Sequence, residues 1–597
     1  MKFLKIFLAA LLAVVVGSVL TTLLWVMTLV GMAGSMESPV QVEENSILKL
    51  DFSETITNAP ATDPFAGLDF MSLEMTPTLS LYKALQAIDA AKSDDRIKGI
   101  YIRPMGAGLS STAALEELRA AIADFKQSGK FVVAYSEGFG QGEYYLSTVA
   151  DKIFLQKEGS LSWMGMSSAV PFFKGLFDKL GIEYEIFRPT ACKYKSAVEP
   201  YFLKKMSPEN REQNEQMIHS MWQVLNEGVA ESRGITVEEL NRLADNLELT
   251  LPEDALKHGL VDGLIYEDEM ESYFSEQGVE KNADDEYHFV TLGEYASQLV
   301  PDVKNLTAPQ VAIVYADGQI IDGEGTQSGT IFGNSLAAEI AKVRANDDIK
   351  AVVLRVNSPG GSALASDVIW REMKLLQAEK PVVVSMGDYA ASGGYYISTP
   401  ADAILCNRLT LTGSIGVFGA FPCVGEMAEE KLGITFDNVK TNRSADFGQG
   451  FLVGTIRPTT PAEKAMLIRS VDKVYESFTT KVSEGRNLEI EKVLDIAGGR
   501  VWSGVDALKI GLSDGHGGLK EAIAIAASKA GLEQFRVVES QPELEGLAAI
   551  FSSMNARIRA EYELDALGGA LQPYKKAREV LDQRGVLMYC PYDYQLF

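Results

Sequence analysis

Histidine and cysteine are scarce in this chain, four of each in 597 residues. Cys192, Cys406, Cys423 and Cys590 form no Cys-x-x-Cys pair and show no metal-ligand spacing, so buried thiols are the expectation and no metal is called for. Positive charge is also in deficit, with 55 Lys and Arg against 81 Asp and Glu and a formal net charge of −26. A nucleic-acid partner needs clustered Lys and Arg to neutralise phosphates, and this balance argues against one. Charge of either sign is missing altogether from Ile6 to Met36. Within that stretch, Ile6–Met32 is 27 residues of almost unbroken apolar sequence. About 20 suffice to cross a bilayer, and a cleavable leader has an apolar core of only about 7–15. An uncleaved transmembrane anchor over residues 1–36 is therefore expected. Lys2 and Lys5 precede the run and Glu37 is the first charge after it, which keeps the tip in the cytoplasm and exports the remainder.

At 597 residues the chain is too long for a single core. Internal repetition supplies the division. Asp94-Asp-Arg-Ile-Lys-Gly-Ile-Tyr-Ile-Arg103 is matched by Asp347-Asp-Ile-Lys-Ala-Val-Val-Leu-Arg355, and Lys130-Phe-Val-Val-Ala134 by Lys380-Pro-Val-Val-Val384. Tyr144-Tyr-Leu-Ser-Thr-Val-Ala-Asp151 is matched by Tyr395-Tyr-Ile-Ser-Thr-Pro-Ala-Asp402, and Ala255–Gly263 by Ala507–Gly515. Four blocks in one order, at offsets near 251, read as two copies of one domain. Each copy alternates apolar strands with amphipathic helices (Leu81–Ala91; Leu336–Arg344), the pattern of βαβ units and a mostly parallel sheet. The copies are expected over 45–267 and 309–540. Between them lies an acidic, irregular junction (268–308) with Asn282-Ala-Asp-Asp-Glu286 at its centre, and a charged helical tail (541–597) follows.

The two copies differ where chemistry could reside. Pro381–Met386 reads as a buried strand and Tyr395–Thr399 as the first turns of a helix, which puts Ser392 at the handover between them. A hydroxyl there projects from a sharp turn among small neighbours, and the free N–H groups of a helix start face any developing negative charge. The tyrosine pairs align Gln141 with Ser392, so the first copy lacks the candidate nucleophile. A Pro-Gly-Gly turn in Arg355-Val-Asn-Ser-Pro-Gly-Gly-Ser362 can present consecutive backbone N–H groups to an oxyanion, whereas the first copy has Arg103-Pro-Met-Gly-Ala-Gly108. None of His219, His258, His288 and His516 lies in a recognisable triad setting. Lysine is the other base available, provided burial lets it give up its proton. Cys192-Lys-Tyr-Lys-Ser-Ala-Val-Glu-Pro200 offers Lys195 in a small-residue setting, while the corresponding stretch near Asn442–Ala445 has Arg443, which does not deprotonate in a protein. One copy thus has a base without a nucleophile and the other a nucleophile without a base, which suggests a composite site. Lys193 is two residues from Lys195, and in an extended segment the two share a face, so spacing leaves both open.

Asn357-Ser-Pro-Gly-Gly361, Ala390-Ala-Ser-Gly-Gly-Tyr395, Leu411-Thr-Gly-Ser-Ile-Gly-Val-Phe-Gly419 and Tyr194-Lys-Ser-Ala-Val-Glu-Pro200 together resemble the long, duplicated form of the signal peptide peptidase A family. That resemblance implies an α/β fold of two tandem Clp-protease/crotonase-like domains built from repeated ββα units behind an N-terminal transmembrane helix. It implies a bacterial inner-membrane serine endopeptidase with its bulk on the periplasmic side, acting on cleaved signal peptides and other apolar peptides. It selects Lys195 as general base, with Ser392 as nucleophile and Ser414 orienting the lysine. The N–H groups of Gly361 and Gly393 form the oxyanion hole it implies. A homo-oligomer, a tetramer by resemblance, is expected, and no cofactor. Two rival expectations are a non-catalytic membrane scaffold and acyl-CoA chemistry of the crotonase type. The segment Val586–Phe597 has no counterpart in the resemblance.

Overall fold

The structure, a computed structural model, describes residues 42–61, 77–105, 111–299, 307–452, 454–542 and 587–589, with isolated positions near residue 20. The apolar run expected as an anchor lies outside the described residues. Among the described residues no helix is long and apolar enough to cross a membrane.

The duplication is visible in the strand order. In the first repeat six parallel strands run Gly263–Leu264, Lys152–Leu161, Phe131–Phe139, Ile97–Ile102, Ser46–Leu50, Phe289–Thr291. In the second, Leu411–Gly413, Val382–Ala391, Ile349–Ser358, Gln310–Asp317 and Arg536–Ser540 take the corresponding places, with Ala403–Cys406 paired to Val382–Ala391 and Gly515–His516 to Ala403–Cys406. Helices expected at Leu81–Ala91 and Leu336–Arg344 are found at Leu81–Ser93 and Gly333–Ala345. Each covers a sheet face with its buried stripe.

The strands of the second sheet are buried on both faces, as parallel sheets require. Val382, Val384 and Met386 enter one core cluster and Val383 another, because side chains alternate sides along a strand. The cluster holding Val383 also contains Leu115, Leu118 and Ile122 of the first repeat, so the repeats share a continuous core. Full burial of such a side chain contributes roughly 1.5–3 kcal/mol.

One expectation is corrected. The stretch 268–308 is not an irregular junction throughout: Met270–Glu276 and Leu292–Gln298 are helices, and Phe289–Thr291 pairs with Ser46–Leu50 to close the first sheet. Its acidic residues mark a solvated face, while Met270, Phe274, Val290 and Leu292 point inward. The helical part of the tail, expected over Glu543–Gln583, lies outside the described residues; further along, Leu587–Tyr589 form a strand. Backbone pairing with Gly360–Ser362 decides their conformation.

A smaller sheet joins the repeats. Glu183–Phe187 of the first runs antiparallel to Gly419–Cys423 of the second, with Phe187 opposite Gly419. The long helix Pro208–Arg233, capped by Ser207 and ended by left-handed Gly234, lies against Val501–Ser503 of the second repeat. The long helix thereby carries the first repeat's chain to the edge strand of the second sheet.

Candidate active site

The strand Val382–Ala391 runs on through Gly387 up to the residue before Ser392, and the helix Gly393–Ser398 starts directly after it. No residue is left for a loop, so Ser392 makes the whole turn. Its backbone sits at φ 57° and ψ −112°, a sparsely populated region that costs on the order of 1–3 kcal/mol outside glycine. Neighbouring bonds hold it there: Ser392 N donates to Gly413 O at 2.8 Å, and Ser392 O accepts from Tyr396 N at 2.9 Å. Close packing explains the two glycines that follow. A Cβ on Gly393 would lie 2.7 Å from Ser366 Oγ and 3.2 Å from Gly361 N, and one on Gly394 would lie 2.6 Å from Ser358 O. The Pro-Gly-Gly turn is thereby pressed against the start of the helix, and the Gly361 amide becomes a neighbour of Gly393.

Lys195 reaches this turn from the other repeat. After Glu183–Phe187 the chain folds back, Tyr194 N donates to Gly498 O at 3.0 Å, and Lys195 opens a short 3-10 turn, Ser196–Val198. Gln213 on the long helix steadies the segment by donating to Tyr194 O (3.0 Å) and Ser196 Oγ (2.7 Å). Buried Glu199 anchors its far side, accepting from Ser207 Oγ at 2.6 Å and Asn210 Nδ2 at 2.8 Å.

Lys195 Nζ lies 2.7 Å from Ser392 Oγ, 2.9 Å from Ser414 Oγ and 3.0 Å from Ser414 O. The three side chains are at most 1 % exposed. Lys193, which spacing left open, points into solvent. Ser414 also has positive φ, 50°, and its N donates to Arg500 O at 2.7 Å. Three residues upstream of Lys195, Cys192 has its thiol pushed up to about 11 by burial, so it offers no thiolate rival near neutral pH. The arrangement is a buried amine within proton-transfer distance of a hydroxyl, beside backbone amides able to receive an oxyanion.

The histidines are engaged elsewhere. His219 Nδ1 meets Glu215 O, His288 Nδ1 meets Ser46 Oγ, His516 Nδ1 meets Cys406 O, and His258 faces Glu239 and Glu248. In the first repeat the equivalent turn is closed. Gln141 Oε1 accepts from the amides of Met164 and Gly165 at 2.8 and 2.9 Å, and Trp163, 1 % exposed, stands at the position corresponding to Ser414. Arg443, aligned in sequence with Lys195, is exposed. Among the described residues no group of His, Cys, Asp and Glu could hold a metal ion.

Sequence reasoning missed Gly499. At φ +84° it brings the backbone so near that a Cβ would lie 2.5 Å from Lys195 Cβ. The signal was present as the doublet Gly498-Gly499, but nothing local ties that doublet to a lysine some three hundred positions earlier. Asp388 was missed too. Its Oδ1 accepts from Ala113 N at 2.8 Å and from the hydroxyls of Ser111 and Thr112, so the strand leading to Ser392 caps a first-repeat helix.

The profile of Peptidase family S49 matches residues 124–279 and 374–533, once in each repeat, and a Clp protease profile matches 317–412. Protease 4 of Salmonella typhi is 35 % identical over 526 residues, covering 86 % of this chain and 83 % of its own. Protease 4 of Haemophilus influenzae is 34 % identical over 458 residues, with 74 % and 72 % covered. The chloroplastic serine protease SPPA of Arabidopsis thaliana is 34 % identical over 495 residues, with 80 % and 70 % covered. With a Clp-protease-like α/β fold and two S49 domains, the chain belongs to peptidase family S49 and is a serine protease.

Proposed function

We propose that this serine protease is a membrane-anchored endopeptidase that degrades cleaved signal peptides through a dyad of Ser392 and Lys195. The distance of 2.7 Å between Lys195 Nζ and Ser392 Oγ, buried at the meeting of the two repeats, carries the reading. Neutral Lys195 takes the hydroxyl proton as Ser392 Oγ attacks the scissile carbonyl. The amides of Gly361 and Gly393 receive the developing oxyanion, and the protonated lysine then gives its proton to the leaving amine. Water completes deacylation with Lys195 again as base, and Ser414 orients the amine throughout. The role requires Lys195 to be uncharged when it accepts the proton. The catalytic unit is composite: a repeat over 45–267 contributes the lysine, one over 309–540 the serine, joined by 268–308 and followed by the tail 541–597.

The apolar run Ile6–Met32 supports an anchor in the bacterial inner membrane, with the bulk of the chain on the periplasmic side. An anchored protease suits apolar peptides lying in or near the bilayer, with small or aliphatic side chains preferred at the cleavage pocket. A homo-oligomer, a tetramer by resemblance, would enclose the site in a shielded chamber. The test is cleavage of a synthetic signal peptide by the wild type, Ser392→Ala and Lys195→Ala, with circular dichroism to verify folding. The dyad reading requires both variants to be folded and inactive, and full activity in either rejects it. Labelling of Ser392 by a fluorophosphonate probe would separate the protease from a scaffold.

A further inference from the structure

Arg500 follows Gly499, the residue that leaves room for Lys195, and precedes the strand Val501–Ser503, which pairs antiparallel with Leu411–Gly413. The pairing continues one step beyond the strand. Arg500 O accepts from Ser414 N at 2.7 Å, so this carbonyl holds the residue whose Oγ and O lie 2.9 and 3.0 Å from Lys195 Nζ. The side chain reaches the other flank of the lysine. Its guanidinium lies 4.7 Å from the ring centre of Tyr194, the residue before Lys195. It lies 4.5 Å from the ring centre of Trp502, two positions on and so on the same side of the extended chain. Trp502 is itself held, its Nε1 donating to Ile496 O at 3.0 Å. The terminal nitrogens reach the long first-repeat helix, Nη1 to Glu212 Oε1 at 2.9 Å and Nη2 to Gln216 Oε1, one helical turn apart. Nε is buried without a hydrogen-bond partner, so the rings and the helix set the plane of the guanidinium. The Tyr194 hydroxyl is tied to the same helix, donating to Glu212 Oε2 at 3.1 Å.

We propose that Arg500 is a positioning residue for the general base: its carbonyl holds Ser414 on one side of Lys195, and its guanidinium, stacked on Tyr194, holds the lysine-bearing segment on the other. The inference rests on the Ser392/Lys195 reading above. Lys195 comes from the first repeat, and its partners Ser392 and Ser414 come from the second. The placement of the amine therefore depends on contacts that cross between repeats. Arg500 belongs to the second repeat, while its guanidinium meets Tyr194, Glu212 and Gln216 of the first. A planar cation answers all of these at once, with separate N–H groups for two acceptors and a flat face for a ring. Arg500 acts through Tyr194 and Ser414, not on the reacting atoms.

The test is turnover of a synthetic signal peptide by the full chain, counted per site titrated to completion with a fluorophosphonate. A merely structural role would lower the number of titrated sites and leave turnover per site unchanged. Arg500→Met and Tyr194→Leu should each lower kcat per site about 10- to 100-fold with KM within about twofold, the pattern of a displaced catalytic group. Together they should lose no more than the worse single variant, because both break the same contact. Tyr194→Phe keeps the ring and should recover most of the turnover that Tyr194→Leu loses. Full turnover per site in folded Arg500→Met overturns the proposal. So does a Tyr194→Phe as impaired as Tyr194→Leu, or a double variant whose losses add. Should Arg500→Met fail to fold, Tyr194→Leu, at a half-buried position, decides by the same readout. Full activity in Lys195→Ala rejects the dyad instead, so the two failures are distinguishable.

Discussion

Glu117 of the first repeat and Arg355 of the second form an ion pair at 2.8 Å in which the side chains are 4 % and 1 % exposed. Glu117 also accepts from Asn407 Nδ2 at 3.0 Å and from Leu519 N at 2.8 Å, while Arg355 donates to Ser385 Oγ and Asn58 Oδ1, each at 2.8 Å. Arg103, the same position in the first copy, turns instead to Glu267 within its own repeat, at 2.6 Å. Duplicated arginines have thus parted: one closes a repeat and the other fastens two repeats together. The fastening matters because the lysine and the serine stand on opposite sides of it.

Glu117→Ala leaves a guanidinium buried without its carboxylate, a change that costs about 3–5 kcal/mol in comparable pairs. Urea denaturation should show a lower midpoint by that order. Arg355→Met combined with Glu117→Leu should lose less than Glu117→Ala alone, because no charge is then stranded. Equal losses would mean that the pair is not what fastens the repeats.

Gly499→Ala places a methyl group where Lys195 Cβ already stands, with 2.5 Å between them, on a backbone at φ +84°. The lysine must move by a fraction of an ångström or more. Misplacement of about 1 Å lowers turnover on the order of 100-fold. Peptide cleavage should fall by that order in kcat with little change in KM, in a chain that keeps its circular dichroism spectrum.

The two neighbouring lysines separate cleanly. Lys193→Ala removes an exposed side chain and should leave kcat within about twofold of the wild type, since solvated positions away from the site contribute little. Lys195→Arg keeps the charge and length but not the ability to lose a proton, and should be as inactive as Lys195→Ala. Activity in Lys195→Arg would remove the general base from the proposed mechanism.

Glu116, part-buried where the repeats meet, has its carboxyl pushed up to about 7 by desolvation, against a bond accepted from Leu409 N at 2.8 Å. The folded chain therefore holds this proton more tightly than the unfolded chain, whose carboxyl titrates near 4.5. The stabilisation is fully present below the unfolded value and is lost as pH rises through about 7. Glu116→Gln keeps an acceptor for Leu409 N and removes the titration. Across pH 4.5–8, denaturation midpoints of the wild type should fall relative to the variant as pH rises; parallel curves would place the titration elsewhere.

Much of the fold was legible because it depends on local pattern repeated twice. The apolar strands, the two amphipathic helices and the offset of the Tyr-Tyr blocks lie in the order of residues alone. The composite site was legible in part for the same reason, since duplication makes a missing residue visible: Gln141 stands where Ser392 should be, and Arg443 near where Lys195 should be. The junction misled because acidic composition reports solvation of one face and says little of a short strand whose buried residue is Val290 alone.

By itself, then, the sequence determined that there are two copies, that their chemistry has been divided, and which residue types remain in each. Strand and helix periodicity and side-chain chemistry are local properties, readable without knowing neighbours. Only the tertiary structure decided that Lys195 rather than Lys193 meets Ser392, that Gly499 makes room for it, and that Glu117 holds Arg355. Those contacts join residues tens to hundreds of positions apart, and burial and packing across the repeats, not the order of neighbours along the chain, bring them within bonding distance.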